Sequence, residues 1–424
     1  MEEVIRIKGQ KLLNGTVHIS GSKNLCVALI PASILARDVV VIHNIPPISD
    51  VYNLIEILES LDICVQYQND TLVIDSSNVK YHDLDMVAME RLRASYYFYS
   101  VLLGMHKKLE AKGIGGCRLG ERPIDLHIKA FEELGAKFKI QNDAYIFDGK
   151  NLKSGHIVFD KISVGATINA ILLAIQIKGK TIIENAAIEP EITELIKFLT
   201  KMGASIEGSE TAKLIIKGGK PLHGTEFYNI PDRIEVGTYA LIGAATAKKL
   251  IIKNIIKEHI QSLLDLFDLL EINYTIKNDN ELIVKKSTIK KGIIVLTAPY
   301  PGFPTDLQQP LTSFLAVNEG TSVIIESIYT NRFAHIKELN EMGANINVTN
   351  MNIIIHGVKE LRGLVVSGKD LRGAASLVLA GLMAKGETIV RGLEYINRGY
   401  ENMIKKLRGV HANIELALEE FGDN

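Results

Sequence analysis

A unit of about 70 residues recurs six times along this chain of 424 residues. In each unit a charged residue stands at the front of an apolar stretch of helical length, and the successive spacings are 70, 68, 72, 73 and 66 residues. These charged residues are Lys23, Arg93, Lys161, Arg233, Asp306 and Arg372. Such a repeat constrains the fold more than composition does, because every unit should form the same set of elements and bury its apolar face against its neighbours.

Glycines keep step with the charged residues. Three of them, Gly135, Gly203 and Gly343, stand where a helix should end, since glycine readily takes the left-handed backbone of the C′ position. Alternating residues such as Phe138-Lys139-Ile140 follow and indicate a strand. Weaker forms of this pattern occur at residues 61–63, 270–272 and 410–412, and more strands are predicted at 39–42, 181–184, 250–253, 322–325 and 388–390. Strands that alternate with helices predict an α/β fold.

The helices behind the charged residues are apolar on nearly every face and should be buried. They are predicted at residues 26–35, 94–103, 164–177, 236–247, 311–317 and 374–384. Each N-terminus leaves N–H groups unsatisfied and carries a partial positive charge, and five of the six fronts add a full cation. If several ends converge, they form a site for phosphate or carboxylate. The alternative is that these charges only cap helices and stay solvated.

Composition excludes several classes of function. Lys and Arg total 48 and Asp and Glu 49, so no overall field attracts nucleic acid or a membrane surface. The apolar stretches are shorter than the roughly 20 residues of a transmembrane span. Met1-Glu2-Glu3-Val4 lacks the basic and apolar regions of a signal peptide. The three cysteines form no even framework and no Cys-x-x-Cys pair, so we expect a cytoplasmic location. The histidines show no metal-ligand spacing.

The three cysteines fall into two groups. Cys26 and Cys64 lie in apolar runs and are interpreted as small core residues. Cys117 lies in a loop with four glycines between residues 113 and 120, near Arg118 and Arg122, and nearby cations favour a thiolate. The loop could hinge like a lid, or Cys117 could be an unreactive thiol in a flexible turn. Likewise, Asp125 could be an ordinary helix-start acid.

Several motifs occur in one order from end to end of the chain. They are Gly21-Ser22-Lys23-Asn24, Gly115-Gly116-Cys117, Arg122-Pro123-Ile124-Asp125-Leu126-His127, Asp160-Lys161-Ile162-Ser163-Val164-Gly165, Pro231-Asp232-Arg233, Phe303-Pro304-Thr305-Asp306, Asn331-Arg332-Phe333 and Arg398-Gly399-Tyr400-Glu401. In these motifs the chain resembles the UDP-N-acetylglucosamine 1-carboxyvinyltransferase family of enolpyruvyl transferases. It departs from the usual family pattern at Ser22, Tyr300, Asn397, Gly373 and Pro310, which falls inside the helix after Asp306.

The resemblance implies two inside-out α/β barrel domains built from six βαβαββ-type repeats. Residues 22–230 would form one continuous domain that carries the cysteine loop, and residues 1–21 and 231–424 the other. The implied reaction transfers the enolpyruvyl group of phosphoenolpyruvate to the 3′-hydroxyl of UDP-N-acetylglucosamine and releases phosphate by addition and elimination. This is the first committed step of peptidoglycan synthesis, and it needs no redox cofactor and no obligatory metal.

The resemblance also assigns roles to residues of this chain. Cys117 would protonate C3 of phosphoenolpyruvate and take up fosfomycin-type inhibitors, and Asp306 would accept the proton of the sugar hydroxyl. The groups around phosphoenolpyruvate would be Lys23, Asn24, Arg93, Arg122, Arg332, Arg372 and Arg398. Uridine and diphosphate would contact Arg122, Pro123, Ile124, Asp125 and Leu126 together with Lys161, Ile162, Ser163, Val164 and Gly165. Ile328 would touch the acetamido group of the sugar.

Three other functions are compatible with parts of this pattern. 5-Enolpyruvylshikimate-3-phosphate synthase shares the fold and the donor but has no reactive loop cysteine, and it uses serines where this chain has Asn24 and Leu25. RNA 3′-phosphate cyclase shares the repeat architecture but would need a nucleotidylated histidine and a more basic surface. A non-enzymatic sensor of nucleotide sugars would not need both Cys117 and Asp306.

Overall fold

The computed structural model describes residues 2–79, 96–112, 124–141 and 144–419. The described chain divides into two compact units, which we call the split unit (Met1–Ser20 with Pro231–Asn424) and the continuous unit (Gly21–Ile230). In the described parts, no helix combines the length and apolar character needed to cross a bilayer.

The helices are numbered in chain order. They are α1 (Lys23–Ser33), α2 (Ser49–Ser60), α3 (Tyr97–His106), α4 (Asp125–Glu133), α5 (Val164–Ala174), α6 (Pro190–Lys201), α7 (Arg233–Thr246), α8 (Gln261–Leu269), α9 (Gln308–Leu315), α10 (Ala334–Glu341), α11 (Leu371–Met383), α12 (Leu393–Ile396) and α13 (Met403–Gly409). Short 3₁₀ turns span Ile34–Ala36, Lys257–Ile260 and Thr305–Leu307.

The strands of the described residues fall into six sheets. They are β1 (Glu2–Lys8), β2 (Leu13–His18), β3 (Val39–His43), β4 (Cys64–Gln68), β5 (Thr71–Asp75), β6 (Lys108–Lys112), β7 (Lys137–Gln141), β8 (Ala144–Asp148), β9 (His156–Val158), β10 (Gly179–Glu184), β11 (Ser205–Glu207), β12 (Lys213–Gly218), β13 (Thr225–Tyr228), β14 (Ala247–Lys253), β15 (Tyr274–Lys277), β16 (Glu281–Val284), β17 (Ile294–Leu296), β18 (Thr321–Ile325), β19 (Asn345–Thr349), β20 (Asn352–His356), β21 (Val365–Ser367), β22 (Glu387–Arg391) and β23 (Ile414–Glu419).

Five of the six sheets share one topology. Their strand orders are β13-β3-β5-β4, β11-β12-β10-β9, β15-β16-β14-β2, β17-β18-β20-β19 and β21-β22-β1-β23. In each, the strand that follows a buried helix pairs with one parallel and one antiparallel neighbour. The sixth sheet, β6-β8-β7, has only the antiparallel pairs among the described residues. Three of these sheets of the described chain lie in each unit, and the predicted α/β class and the repeat are confirmed.

A helix end of one kind recurs in all six repeats. Each end has a residue with positive φ: Asp62, Gly135, Gly203, Glu271, Gly343 and His411. In each, the N–H of this residue and that of the next donate to carbonyls of the last helical turn, which is the Schellman arrangement. The three positions without glycine are the weaker forms of the pattern seen in the sequence, and they end their helices in the same way.

Each unit has its own hydrophobic core around three of the apolar helices. In the continuous unit α3 packs against α1 and α5, and in the split unit α7, α9 and α11 pack against one another. Burial extends around these helices, as in α11, where every residue from Arg372 to Leu382 is buried. The prediction that the apolar helices are buried is confirmed.

One prediction about local structure is corrected, and two others are confirmed. Cys64, interpreted as a core residue, is exposed because it begins β4, an edge strand of its sheet, and points outward. Pro310 falls inside the helix after Asp306, as predicted. Because α9 starts at Gln308, the proline occupies its first turn. The N–H groups of a first turn lack intrahelical acceptors, and proline there removes no helical hydrogen bond. Cys26 is buried, as predicted.

Candidate functional site

Four of the predicted site residues lie outside the described parts of the chain. They are Arg93, Cys117, Arg122 and Pro123. The others are divided between the two units. Lys23, Asn24, residues 124–126 and residues 161–165 belong to the continuous unit, whereas Asp306, Ile328, Arg332, Arg372 and Arg398 belong to the split unit.

Asp306 lies between two arginines in the split unit. Nη2 of Arg332 donates to its Oδ1 at 2.7 Å, and Nη2 of Arg372 donates to its Oδ2 at 3.1 Å. The two arginine side chains are only 4% and 2% exposed, whereas that of Asp306 is 25% exposed. We call this arrangement the arginine clamp. It leaves solvent access to the carboxylate and fixes both of its oxygens through charge-assisted bonds.

Distant segments build the clamp. Asp306 lies in the 3₁₀ turn before α9, Arg332 precedes α10, and Arg372 is in the first turn of α11. Burial alone would lower the pKa of Arg332, but the attraction of Asp306 and Tyr329 outweighs it and the pKa is raised. The pKa of Arg372 is also raised, since Tyr400 and Asp306 outweigh its burial. Both guanidinium groups therefore stay charged within the protein.

Tyr400 packs against Arg372 of the arginine clamp. Its ring lies 5.2 Å from the guanidinium carbon of Arg372, and its buried hydroxyl lies 2.8 Å from Oγ1 of Thr238 on α7. Tyr400 follows Arg398 by two residues. The buried tyrosine therefore also anchors the segment that carries Arg398, another predicted substrate contact. A cation–π contact of this kind helps to hold the guanidinium in place.

His335 is a buried residue near the clamp that the sequence patterns did not single out. It is the second residue of α10 and is 2% exposed. Burial lowers its pKa to about 4, against the opposing attraction of Asp370, and Arg332 lowers it further. The imidazole is therefore neutral at pH 7 and adds no charge next to the two arginines.

Lys23 in the continuous unit has a buried partner that the sequence analysis missed. Its Nζ lies 3.0 Å from Oδ2 of Asp50, whose side chain is 0% exposed in the first turn of α2. The Lys23 side chain itself is 13% exposed. A buried carboxylate needs a close cation to offset its desolvation, and this contact fixes the direction of the lysine.

If Lys23 contacts phosphoenolpyruvate, as the family resemblance implies, Asp50→Asn should raise the KM for this substrate about tenfold, because the ammonium of Lys23 loses its ion-paired carboxylate. Steady-state kinetics together with urea unfolding measures both the site and the fold. Glu207→Gln is the matched control, since it removes an ion pair with Lys217 whose side chains are 56% and 58% exposed. An unchanged KM in Asp50→Asn would show that Lys23 needs no such support.

The described parts of the predicted nucleotide-binding segments come together in the continuous unit. α4 begins at Asp125, α5 begins at Val164, and the two helices pack against each other. His127 makes one link, because its Nδ1 lies 2.9 Å from Nδ2 of Asn169 on α5. Since the amide nitrogen can only donate, Nδ1 of His127 is the acceptor.

Gly165 is confined at the start of α5. A Cβ at this position would lie 2.7 Å from the hydroxyl oxygen of Tyr96 and 2.9 Å from Cε1 of His127. Only glycine therefore lets α5 begin this close to the tyrosine and the histidine. The N–H groups of this first turn are those that would face a diphosphate if the predicted site is occupied.

Four of the helix fronts have side-chain caps that the sequence analysis did not use. Ser22 accepts from the N–H of Leu25, Ser163 from that of Ala166, and Asp232 and Asp370 each accept from two N–H groups of α7 and α11. Ser and Asp are preferred caps, so this signal was present in the sequence. The charged residues that follow them are thus not needed as caps.

Comparison with solved structures identifies the fold. The crystal structure of the enolpyruvyl transferase NikO from Streptomyces tendae superposes with a TM-score of 0.90 at 23% identity, covering 98% of this chain and 99% of that one. An EPSP synthase structure from Acinetobacter baumannii gives a TM-score of 0.73 at 17% identity, covering 99% and 100%. The chain has the enolpyruvyl transferase fold.

Sequence comparison defines the family more narrowly. The profile described as EPSP synthase (3-phosphoshikimate 1-carboxyvinyltransferase) matches residues 7–407. UDP-N-acetylglucosamine 1-carboxyvinyltransferase 2 of Bacillus subtilis (strain 168) is 47% identical over 414 residues, 97% of this chain and 96% of that protein. The protein of the same name from Listeria monocytogenes is 45% identical, with 98% of both chains covered. The chain belongs to the UDP-N-acetylglucosamine 1-carboxyvinyltransferase family.

Proposed function

We infer that this chain transfers the enolpyruvyl group of phosphoenolpyruvate to the 3′-hydroxyl of UDP-N-acetylglucosamine and releases phosphate. This is the first committed step of peptidoglycan synthesis. The observation that carries the inference is 47% identity over 97% of the chain to a protein named for this activity. The arginine clamp adds physical support, because a carboxylate held by two cations beside an accessible surface suits a reaction between anionic substrates.

We propose that Asp306 is the general base. Its carboxylate would accept the proton of the 3′-hydroxyl as the hydroxyl oxygen attacks C2 of phosphoenolpyruvate. General bases must lie within hydrogen-bond reach of the proton that they remove, and the 25% exposure of Asp306 allows this approach. Arg332 and Arg372 hold the carboxylate in one orientation, and in the proposed complex they also face the carboxylate of phosphoenolpyruvate.

The donor half of the site is proposed from the sequence. The Cys117 thiol would give its proton to C3 of phosphoenolpyruvate, which makes C2 electrophilic. Attack by the sugar oxygen then yields a tetrahedral phosphoketal. Loss of a proton from C3 and of phosphate from C2 regenerates the enol ether, now attached to the sugar. Lys23, Arg93, Arg122 and Arg398 would neutralise the phosphate as it leaves.

The nucleotide is proposed to bind to the continuous unit. The first turns of α4 and α5 carry Asp125 and Gly165, which lie on two packed helices next to His127. Ile328, 37% exposed in the split unit, is proposed to contact the acetamido group. The two units would then correspond to the two domains of the family, and the cytoplasm is the proposed compartment.

Phosphate release tests the proposed function. We expect the protein to release phosphate from phosphoenolpyruvate only when UDP-N-acetylglucosamine is present, because the sugar oxygen must add to C2 before phosphate can leave. A coupled phosphate assay over a panel of UDP-sugars, with shikimate 3-phosphate as a further acceptor, measures this. Equal release with shikimate 3-phosphate would assign the chain to the acceptor that the EPSP synthase profile names.

A further inference from the structure

Glu326 is a fully buried carboxylate that the proposed reaction does not use. It follows β18 directly, and its exposure is 0%. Burying a carboxylate costs far more free energy than burying an apolar side chain unless several donors compensate it. An apolar side chain would fill this position at lower cost, so the carboxylate must serve a purpose other than packing.

Four donors surround the carboxylate. Oε1 accepts from Oγ1 of Thr297 at 3.0 Å, from the N–H of Ile328 at 2.9 Å and from the N–H of Tyr329 at 3.2 Å. Oε2 accepts from Oγ1 of Thr305 at 2.8 Å. Glu326 therefore fixes two segments at once: the turn of residues 327–329 and the start of the 3₁₀ turn that carries Asp306.

Both segments contact the side chain of Arg332. Its Nη1 donates to Oγ1 of Thr305 at 3.0 Å, and its guanidinium carbon lies 5.1 Å from the ring centre of Tyr329. Its Nη2 holds Asp306. Because Thr305 donates its only hydroxyl proton to Glu326, its oxygen lone pairs are turned toward Arg332. The chain of contacts thus runs from Glu326 through Thr305 and Arg332 to Asp306.

We propose that Glu326 is a positioning residue for the transfer reaction: it sets the orientation of Arg332 and thereby of the Asp306 carboxylate. The proposal rests on the function inferred above. It also links the clamp to the turn that carries Ile328, so one buried carboxylate ties the proposed base to the proposed sugar contact. Glu326 would act without touching either substrate.

Glu326→Gln separates the two halves of this arrangement. The amide oxygen can replace Oε1 and keep its three donors, which are the hydroxyl of Thr297 and the N–H groups of Ile328 and Tyr329. The amide nitrogen must then face Thr305 and donate a hydrogen bond to its hydroxyl oxygen. The threonine hydroxyl thereby loses the acceptor of its own proton, and this proton competes with the N–H group of Arg332 for the other side of the oxygen. We expect kcat to fall by on the order of tenfold to a hundredfold, as for a catalytic group displaced by a fraction of an ångström. The KM for UDP-N-acetylglucosamine should change by less than about twofold.

Thr305→Val supplies the second variant, because it removes the same link with a side chain of equal size. If Glu326 acts through Thr305, the double variant should have about the kcat of the slower single variant, since two residues in one chain of contacts are not additive. Glu338→Gln is the matched control: it also alters a buried carboxylate of the split unit, which accepts from the N–H of Ser367 at 2.9 Å. It should keep the wild-type kcat.

Steady-state kinetics and thermal unfolding of the wild type and of these variants test whether Glu326 is a positioning residue. A loss of kcat in Glu326→Gln and Thr305→Val, non-additive and absent in Glu338→Gln, supports the positioning role. A kcat within about twofold of the control in both variants overturns it. If Glu326→Gln does not fold, Thr305→Val alone carries the test, and its wild-type kcat would overturn the proposal. An inactive wild-type protein would instead contradict the proposed function.

Discussion

Replacing Asp306 with asparagine should lower kcat by about a thousandfold, because a positioned general base contributes on the order of a hundredfold to ten-thousandfold. The amide keeps the size of the carboxylate but cannot accept the hydroxyl proton. UDP-N-acetylglucosamine should still bind, since the proposed nucleotide contacts lie in the continuous unit. Steady-state phosphate release gives kcat, and calorimetric titration with the UDP-sugar gives the affinity.

The same variant discriminates catalysis from structure. The neutral amide in Asp306→Asn would break the ion pairs of two buried guanidinium groups, and breaking a buried ion pair is destabilising. If Asp306 serves only to neutralise Arg332 and Arg372, the variant should unfold at lower temperature and its loss of activity should follow the unfolded fraction. A folded and inactive Asp306→Asn supports the base. Asp265→Asn, an exposed carboxylate on α8, should match the wild type in both measurements.

Replacing Cys117 with serine should lower turnover by about a hundredfold or more, because a hydroxyl is a far weaker acid than a thiol and a general acid contributes at least that much. The variant should also resist fosfomycin, an epoxide that we expect to alkylate the thiol of Cys117. Mass spectrometry after incubation with the epoxide, alongside the phosphate assay, measures both effects.

Cys64 provides the control that this chain offers. It is an exposed free thiol, so a simple reaction with any accessible cysteine would modify it. Cys64→Ser should keep full activity and full sensitivity to the epoxide, with one adduct per chain. An adduct on Cys117→Ser together with unchanged inhibition would remove Cys117 from the proposed site.

The fold could be predicted from the sequence because each repeat needs particular backbone conformations at the same positions. A C′ residue with positive φ ends a helix in every repeat. In three repeats this residue is a glycine that predicted the helix end from the sequence: Gly135, Gly203 and Gly343. The remaining ends use residues such as Asp62 and His411, whose positive φ no composition rule would have singled out without the repeat. The start of α5 was predicted correctly at Val164. The starts of α1, α7 and α11 were predicted three residues too late, because their caps Ser22, Asp232 and Asp370 did not enter the prediction.

The arginine clamp could not be derived from local sequence. Arg332 and Arg372 stand 26 and 66 residues after Asp306, and only the packing of α9 on α11 brings the last pair together. Family resemblance named these residues as substrate contacts but did not pair them with Asp306. The partners Asp50 and Glu326 were missed for the same reason. Cys64 was placed wrongly because an apolar run does not distinguish an edge strand from a central one.

The most direct measurement of the central claim is proton NMR of the reaction run in D₂O with phosphoenolpyruvate and UDP-N-acetylglucosamine. Addition and elimination pass through a methyl group at C3, so solvent deuterium should appear in the vinyl carbon of enolpyruvyl-UDP-N-acetylglucosamine as phosphate is released. A product that keeps only its original C3 hydrogens, or phosphate released without any enolpyruvyl product, would contradict this account.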